Sequence, residues 1–341
     1  MMKVLCLPQK GELVIRDIPK PRLEAGHALI KIETCGICGS DVTAYQGINP
    51  TLKYPVEGIG HEGTGIIEEI GDNDKDLKPG DRVVLEPYVP CNECPMCKVK
   101  RFNNCENLKV CGVHKNGMMV EYFQHPLQLL YKLPDTLDSH SAVLVEPLTI
   151  GLHALNRAKV KAGEYCVVFG AGTIGLLTAF GCLNYGAVPV LIDVLQKRLN
   201  QAKEMGIPHT YNSTEGKTED YLRDVCDGPL PDAMIDCTGS PPVIANMHNM
   251  VRHGGRISLV GWPHDPVIIN TIRCMQKELN IYPCRNSNAK FPESINMVSG
   301  GRIPADRIIT KMIGFEETES AIQDMIKNPI NYLKVAVTIN T

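Results

Sequence analysis

The stretch that most restricts what this chain can fold into begins at Tyr165. A β-rich run, Tyr165–Phe169, leads into Gly170-Ala171-Gly172-Thr173-Ile174-Gly175, followed by helix-like residues 176–185 and a second β-rich run at 188–192 that ends on Asp193. A G-x-G-x-x-G that follows a strand, opens a helix and is answered about twenty residues later by an acid is the arrangement of a dinucleotide-binding βαβ unit. Each glycine has its reason. Gly170 permits the tight turn, Gly172 lets backbone approach a pyrophosphate, and Gly175 lets the helix pack closely on its strand, with the helix amino terminus facing the phosphates. Asp193 can accept hydrogen bonds from adenosine ribose hydroxyls and repels a 2′-phosphate, which favours NAD over NADP. Arg198, one turn on, is either a contrary hint or simply a neighbour of Asp193.

Residues 165–192 carry no charge, so length alone would also allow a membrane span. Five glycines, Asn184 and Pro189 break the stretch into strand, turn, helix and strand, which fits a parallel sheet covered on both faces. The rest of the composition agrees with a soluble globular chain of two domains: 341 residues, 43% hydrophobic, 21% charged, formal net charge -3. No basic stripe points to nucleic acid or an anionic membrane surface, so a small molecule is the expected partner. The amino terminus breaks its apolar run at Pro8-Gln9-Lys10 before a signal-peptide core forms, and a cytoplasmic location is expected. In such a compartment fourteen cysteines imply reduced thiols and metal ligation.

Along the chain, residues 4–7, 13–17, 28–34, 65–70 and 82–88 read as short strands separated by proline and glycine turns, an irregular, barrel-like β domain. Residues 117–133 continue as strand. Helical spacing over 137–158 is interrupted by Glu146-Pro147, where the proline kinks or splits the helix and can turn the Glu146 carboxylate inward. After Asp193, helices are expected at 196–205 and 243–251, with strands at 233–237, 256–260 (closed by Gly261) and 279–284 (preceding Arg285-Asn286). The tail mixes helices at 293–298 and 316–327 with a strand at 333–339. A nucleotide domain at 147–285 is therefore inserted between two pieces of the other domain, 1–146 and 286–341.

Two clusters can hold metal. Cys38 in Cys35-x-x-Cys38, with His61-Glu62, offers a thiolate, an imidazole and a carboxylate, three ligand types of a catalytic zinc with its fourth position open. Cys35 and Cys38 by themselves could equally be a redox pair, half of a structural site or buried thiols. Cys91, Cys94, Cys97 and Cys105, four thiols within fifteen residues, can close a tetrahedral shell that leaves no room for substrate.

Taken together, these residues resemble the zinc-dependent medium-chain alcohol dehydrogenase family, most closely its sorbitol and threonine dehydrogenase branch. The resemblance covers essentially the whole chain, from Cys35-Gly-Ile-Cys38-Gly-Ser40-Asp41 through Gly60-His61-Glu62 and the four cysteines to Val145-Glu146-Pro147 and the Gly170 to Gly175 turn. It implies a GroES-like β-barrel catalytic domain, a Rossmann domain with a doubly wound parallel sheet, and an active site in the cleft between them. It further implies Cys38, His61 and Glu62 as catalytic zinc ligands, with Glu146 approaching that metal directly or through water, and Cys91, Cys94, Cys97 and Cys105 as the structural zinc site. Gly172, Thr173, Ile174, Asp193 and Arg198 match cofactor positions, Val260-Gly261 lies near the nicotinamide, and the family's dimers and tetramers form through the Rossmann sheet edge.

The activity implied is oxidation of a secondary alcohol, made acidic by zinc as Lewis acid, with hydride passing to NAD. One position departs from the branch. Where a histidine usually carries the proton outward, this chain has Thr43, so the expected route is Ser40, the cofactor ribose or water, or Glu62 or Glu146. Arg285 and Asn286 fall in a substrate-facing region, where an arginine can clamp a carboxylate or only brace the cofactor. Sorbitol-like polyols, hexonates such as galactonate or gulonate, and threonine remain open as substrates in carbohydrate or related metabolism. A protein that binds zinc and NAD without turnover, as a redox sensor, is the alternative of another class.

Overall fold

The computed structural model describes residues 1–49 and 51–340. The expected terminal boundary at 341 therefore lies outside the described residues. The chain separates into two compact units: residues 1–146, 291–301 and 305–341 form the first, and 147–290 with 302–304 form the second.

The first unit is β-rich. Its strands are β1 (Met2–Gln9), β2 (Glu12–Ile18), β3 (His27–Ile37), β4 (Val56–Glu57), β5 (Glu62–Ile70), β6 (Arg82–Leu85), β7 (Tyr88–Val89), β8 (Lys109–Val110), β9 (Tyr122–Pro126) and β10 (Leu130–Lys132). β2-β1-β4 make a small sheet and β7 pairs with β8. β3 is the organising strand. β5 lies along one of its edges, while β9 covers the first half of the other, and its side chains Leu29, Ile30, Ile32 and Ile37 are buried. Leu7, Ile59, Ile67, Leu85 and Met118 complete the core around it. Each such side chain contributes about 1.5–3 kcal/mol on burial.

The helical expectation over 137–158 needs correction. The chain forms Ser139–Ala142 and then Val145–Arg157, breaking ahead of Glu146 rather than at the proline. Pro147 sits in the first turn, where its missing N–H leaves no hydrogen bond unmade. Glu146 is turned inward all the same, at 3% exposure.

The second unit holds six strands: β11 (Tyr165–Phe169), β12 (Val188–Asp193), β13 (His209–Asn212), β14 (Ala233–Asp236), β15 (Arg256–Leu259) and β16 (Asn280–Pro283). All pair in parallel, in the order β13-β12-β11-β14-β15-β16. This is the doubly wound order, and it reverses between β11 and β14, where ligands bind outside the carboxyl ends of such sheets. The helix Thr173–Asn184 is buried along most of its length, which explains the uncharged stretch. Among the described residues no helix is long and apolar enough to cross a membrane. β13 escapes sequence reading because it is short, polar and half-exposed at the sheet edge.

The tail returns to the first unit. β18 (Lys334–Thr338) pairs antiparallel with the second half of β3, and β17 (Ile309–Gly314) lies parallel on its far side.

Candidate active site and metal centres

Strand pairing gathers the first cluster. β3 ends one residue before Cys38, and Gly36 of β3 pairs with Glu62, the first residue of β5. One donor atom from each of Cys38, His61 and Glu62 lies within 4.8 Å of the others. Glu62 and His61 are buried and Cys38 is half-buried. An alanine at Gly36 would put its Cβ 2.0 Å from Glu62 Oε2, so the bare backbone of β3 makes room for that carboxylate.

Asp41, buried in the short helix Gly39–Tyr45, ties the two ligand segments together. Its Oδ2 accepts from Cys38 N at 2.8 Å and its Oδ1 from Gly60 N at 3.2 Å, 3.9 Å from His61 Nδ1. Burial works against protonation of His61. The Cys38 thiolate beside it and Asp41 win, holding its pKa well above the ordinary value. Nδ1 of His61 is buried toward Asp41 and makes no hydrogen bond. Thiolate, imidazole and carboxylate at this spacing fit zinc.

Two residues that sequence reasoning passed over flank this cluster. Lys334 Nζ, 3% exposed, donates to both Glu62 oxygens at 2.6 Å. Tyr88, also buried, donates its hydroxyl to Glu146 Oε1. Glu146 stands outside the three-residue cluster, and burial pushes its pKa up to about 7, with the charge of His61 pulling the other way. Asp41 lay within a motif already quoted and could have been assigned. For Lys334 and Tyr88 the sequence carries no signal, because each meets its partner only through the fold.

Cys35 is fully buried in β3, its thiol donating to Gly36 O and its pKa raised well above normal by burial. A thiol kept protonated in this way is a poor half of a redox pair. Ser40 is half-buried near the start of the helix Gly39–Tyr45, and Thr43 donates its hydroxyl back to Ser40 O at 3.0 Å.

The second cluster lies in a segment with little regular structure. Cys91, Cys94, Cys97 and Cys105 bring their sulfurs within 4.8 Å of one another. Cys105 Sγ accepts from Cys91 N at 3.2 Å, and Cys94 and Cys97 sulfurs are 3.6 Å apart. Backbone N–H groups of Glu106 and Cys97 pull the Cys94 thiol down to about 6, while desolvation and the neighbouring thiols push Cys97 up to about 12. Four thiols crowded at this distance fit a closed tetrahedral zinc shell.

In the second unit the glycine turn follows β11. Gly170 has φ +98°, and a Cβ on Gly175 would fall 1.7 Å from Gly170 O, so helix and turn touch as closely as glycine allows. A Cβ on Gly172 would meet only Arg198 Nη1, at 3.7 Å. Gly172 is also the N-cap of the helix that starts at Thr173 and Ile174, and it has no side chain to accept from the first-turn N–H groups. Both observations fit a pyrophosphate cradle. Asp193 accepts from Ala171 N at 2.6 Å and from Leu195 N at 2.8 Å, which braces its carboxylate against the turn. A cavity of about 370 Å³ lined by Phe169, Ser213 and Val243 opens beside the ends of β11 and β13.

Val260 and Gly261 donate their N–H groups to Asp236 O at 2.9 and 3.1 Å. Asp236, also missed, accepts with its side chain from Thr238 and Gly239, tying the loops after β14 and β15 together. Arg285 is exposed just past β16, and Asn286 takes a left-handed conformation at φ 50°.

Comparison with known proteins agrees with both units. The alcohol dehydrogenase GroES-like domain matches residues 24–135 and the zinc-binding dehydrogenase domain matches 173–300. An uncharacterized zinc-type alcohol dehydrogenase-like protein of Haemophilus influenzae is 42% identical over 98% of both chains. The L-galactonate-5-dehydrogenase of Escherichia coli is 36% identical over 96% of both. A crystal structure of the Escherichia coli alcohol dehydrogenase RspB with NADH superimposes with a TM-score of 0.92 at 30% identity, covering 99% of each chain. The chain belongs to the zinc-dependent medium-chain alcohol dehydrogenases, in their sorbitol dehydrogenase-like branch, and is an oxidoreductase that uses zinc and a nicotinamide dinucleotide.

Proposed function

We propose that the protein oxidises a secondary hydroxyl of a polyol or sugar acid to the ketone with NAD, and that hexonates of the galactonate or gulonate type are its substrates. The observation that carries the reaction is the convergence of Cys38, His61 and Glu62. When bound, zinc supplies a Lewis acid for the alcohol and NAD supplies the hydride acceptor.

The chain's own residues do the rest. Cys38, His61 and Glu62 would hold the catalytic metal, and Glu146, fastened by Tyr88, would approach it directly or through water. Cys91, Cys94, Cys97 and Cys105 hold the structural zinc. Gly170, Gly172, Thr173, Ile174 and Gly175 receive the pyrophosphate, Asp193 the adenosine ribose, and Val260 and Gly261 the nicotinamide end. The braced Asp193 carboxylate supports NAD over NADP despite Arg198 nearby. With Thr43 turned back onto the Ser40 carbonyl, the Ser40 hydroxyl begins the proton route. An unchanged rate and pH profile in Ser40→Ala would sink that assignment.

Support for a hexonate comes from the L-galactonate relative and from Arg285, whose guanidinium can grip a carboxylate in two places, with Asn286 beside it. The test is NADH formation across polyols, hexonates and threonine, with zinc-loaded and chelated protein. Chelator-sensitive turnover on hexonates alone, weakened by Arg285→Met, is expected. Turnover on neutral polyols reassigns Arg285 to the cofactor, turnover on threonine replaces the hexonate reading while leaving Arg285 a carboxylate to grip, and silence throughout favours a sensor without turnover.

We place the protein in the cytoplasm as a homo-oligomer. All fourteen cysteines are free thiols, in keeping with a reducing compartment. β16 is an open sheet edge, and Ile268, Ile272 and Met275 just before it are 90%, 68% and 79% exposed. Sedimentation of Ile272→Asp as the same species as the parent chain would count against this edge as the interface.

A further inference from the structure

β11 lies between two strands that end on aspartate, β12 on Asp193 and β14 on Asp236. Asp193 braces the glycine turn through Ala171 N. Asp236, 0% exposed, braces the next loop along the sheet. Its Oδ1 accepts from Thr238 N at 3.0 Å and from Thr238 Oγ1 at 2.6 Å, and its Oδ2 from Gly239 N at 3.1 Å. A carboxylate wholly removed from water persists only where donors hold it, so loop and carboxylate fix each other. Thr238 also reaches the glycine turn, its Cγ2 2.9 Å from where a Cβ on Gly170 would stand. The turn's own bonds run the other way, to β12: Gly170 N donates to Ile192 O at 2.7 Å and Ala171 N to Asp193.

The loop that Asp236 holds supports the one after β15. Asp236 faces Leu259 across the sheet, and its carbonyl accepts from Val260 N at 2.9 Å and Gly261 N at 3.1 Å. The two loops then meet backbone on backbone. A Cβ on Gly261 would fall 2.0 Å from Gly239 N, and a Cβ on Gly239, at φ +68°, would fall 2.7 Å from Trp262 O. At this packing a shift of Gly239 passes directly to Gly261. We propose that Asp236 is a positioning residue for the nicotinamide end of the cofactor, its carboxylate setting the place of Val260 and Gly261 through Thr238 and Gly239. Asp193 and Asp236 thus divide the work: the first sets the pyrophosphate turn, the second the nicotinamide loop.

This inference rests on the reading of Val260 and Gly261 as the nicotinamide end. Gly261→Ala tests that reading alone, because the added Cβ forces the two loops apart and leaves the Asp236 side chain untouched. The full zinc-loaded chain is titrated by calorimetry with NADH and with ADP-ribose, which lacks the nicotinamide. Gly261→Ala should weaken NADH about 10-fold or more and leave ADP-ribose within about threefold of the parent. Loss of neither, or equal loss of both, overturns the nicotinamide assignment of the loop, whatever Asp236 does.

The inference itself is tested by Asp236→Asn in the same pair of titrations. The amide keeps the size of the carboxylate but turns an NH2 toward N–H groups that need an acceptor. NADH affinity should fall about 10- to 100-fold, the range of hydrogen bonds to a charged group, while ADP-ribose stays within about threefold. Unchanged NADH affinity overturns the proposal. Equal weakening of both ligands overturns it too, since a general loosening of the domain would give that result. If Gly261→Ala is selective and Asp236→Asn is not, the nicotinamide reading stands and the role of Asp236 falls. If Asp236→Asn does not fold, Thr238→Val, at an exposed position, removes one of the three donors. A loss of about three- to tenfold for NADH alone then supports the proposal, and unchanged or equally weakened binding of the two ligands overturns it.

Discussion

Gly36 shows how much a single absent atom decides. The Glu62 carboxylate occupies the space where a Cβ would stand, with Oε2 2.0 Å from that position and the Glu62 Cβ at 3.2 Å. Both neighbours belong to a buried side chain held by Lys334, so neither can move aside freely. Gly36→Ala should therefore displace the carboxylate and lower zinc affinity at this site by about 10- to 100-fold, with turnover falling alongside. Metal analysis after dialysis checks this: one zinc equivalent lost and the four-cysteine equivalent retained is the expected result. Full retention of both would mean that β3 yields instead of Glu62.

The four-cysteine segment behaves as an element built around its sulfurs. Between Cys91 and Cys105 it has only the four-residue helix Pro95–Lys98 and the single turn Phe102–Asn104. Val99 and Phe102 point outward at 60% and 37% exposure, so little apolar burial holds the segment in place. A segment of this kind takes its folding energy from the metal. Cys97→Ser should remove one zinc equivalent and expose residues 91–110 to limited proteolysis, leaving the Cys38 cluster loaded. Resistance to protease in the metal-free variant would show that β7 and β8 suffice.

For the molecule as a whole, two buried groups make stability depend on pH with opposite signs. His125 is fully buried and donates Nε2 to Glu86 O at 2.8 Å; burial pulls its pKa down to about 3. The unfolded chain takes up a proton near pH 6.5 that the folded chain refuses. Its contribution is therefore present above pH 6.5 and is lost as pH falls toward 3. Burial pushes Glu86 up to about 7, so its contribution is present below pH 4.5 and is lost as pH rises through 7. Between pH 4.5 and 6.5 the two oppose each other. His125→Gln keeps the donor and removes the titration. In denaturant unfolding its stability relative to the parent should rise, by up to about 1.4 kcal/mol for each unit that pH falls below 6.5. A pH-independent difference would show that His125 does not titrate on unfolding.

Much of this was legible in the sequence because it is local. The Gly170 to Gly175 turn lies between strands adjacent in the chain, and the convergence of four cysteines follows from spacings within fifteen residues. The alternation of strand and helix from Tyr165 onward declared the doubly wound sheet, since a buried parallel strand and its covering helix each leave an apolar signature. The short polar strand β13 left none. The amino-acid order also identified Cys38, His61 and Glu62 as candidate donors. Only the tertiary structure decided what surrounds them. Lys334 is 272 residues from Glu62 in the chain, and Tyr88 is 58 residues from Glu146. Their meetings depend on the register of β18 on β3 and on the break ahead of Val145. A countercharge can come from anywhere that folding brings within reach, so no spacing in the sequence announces it.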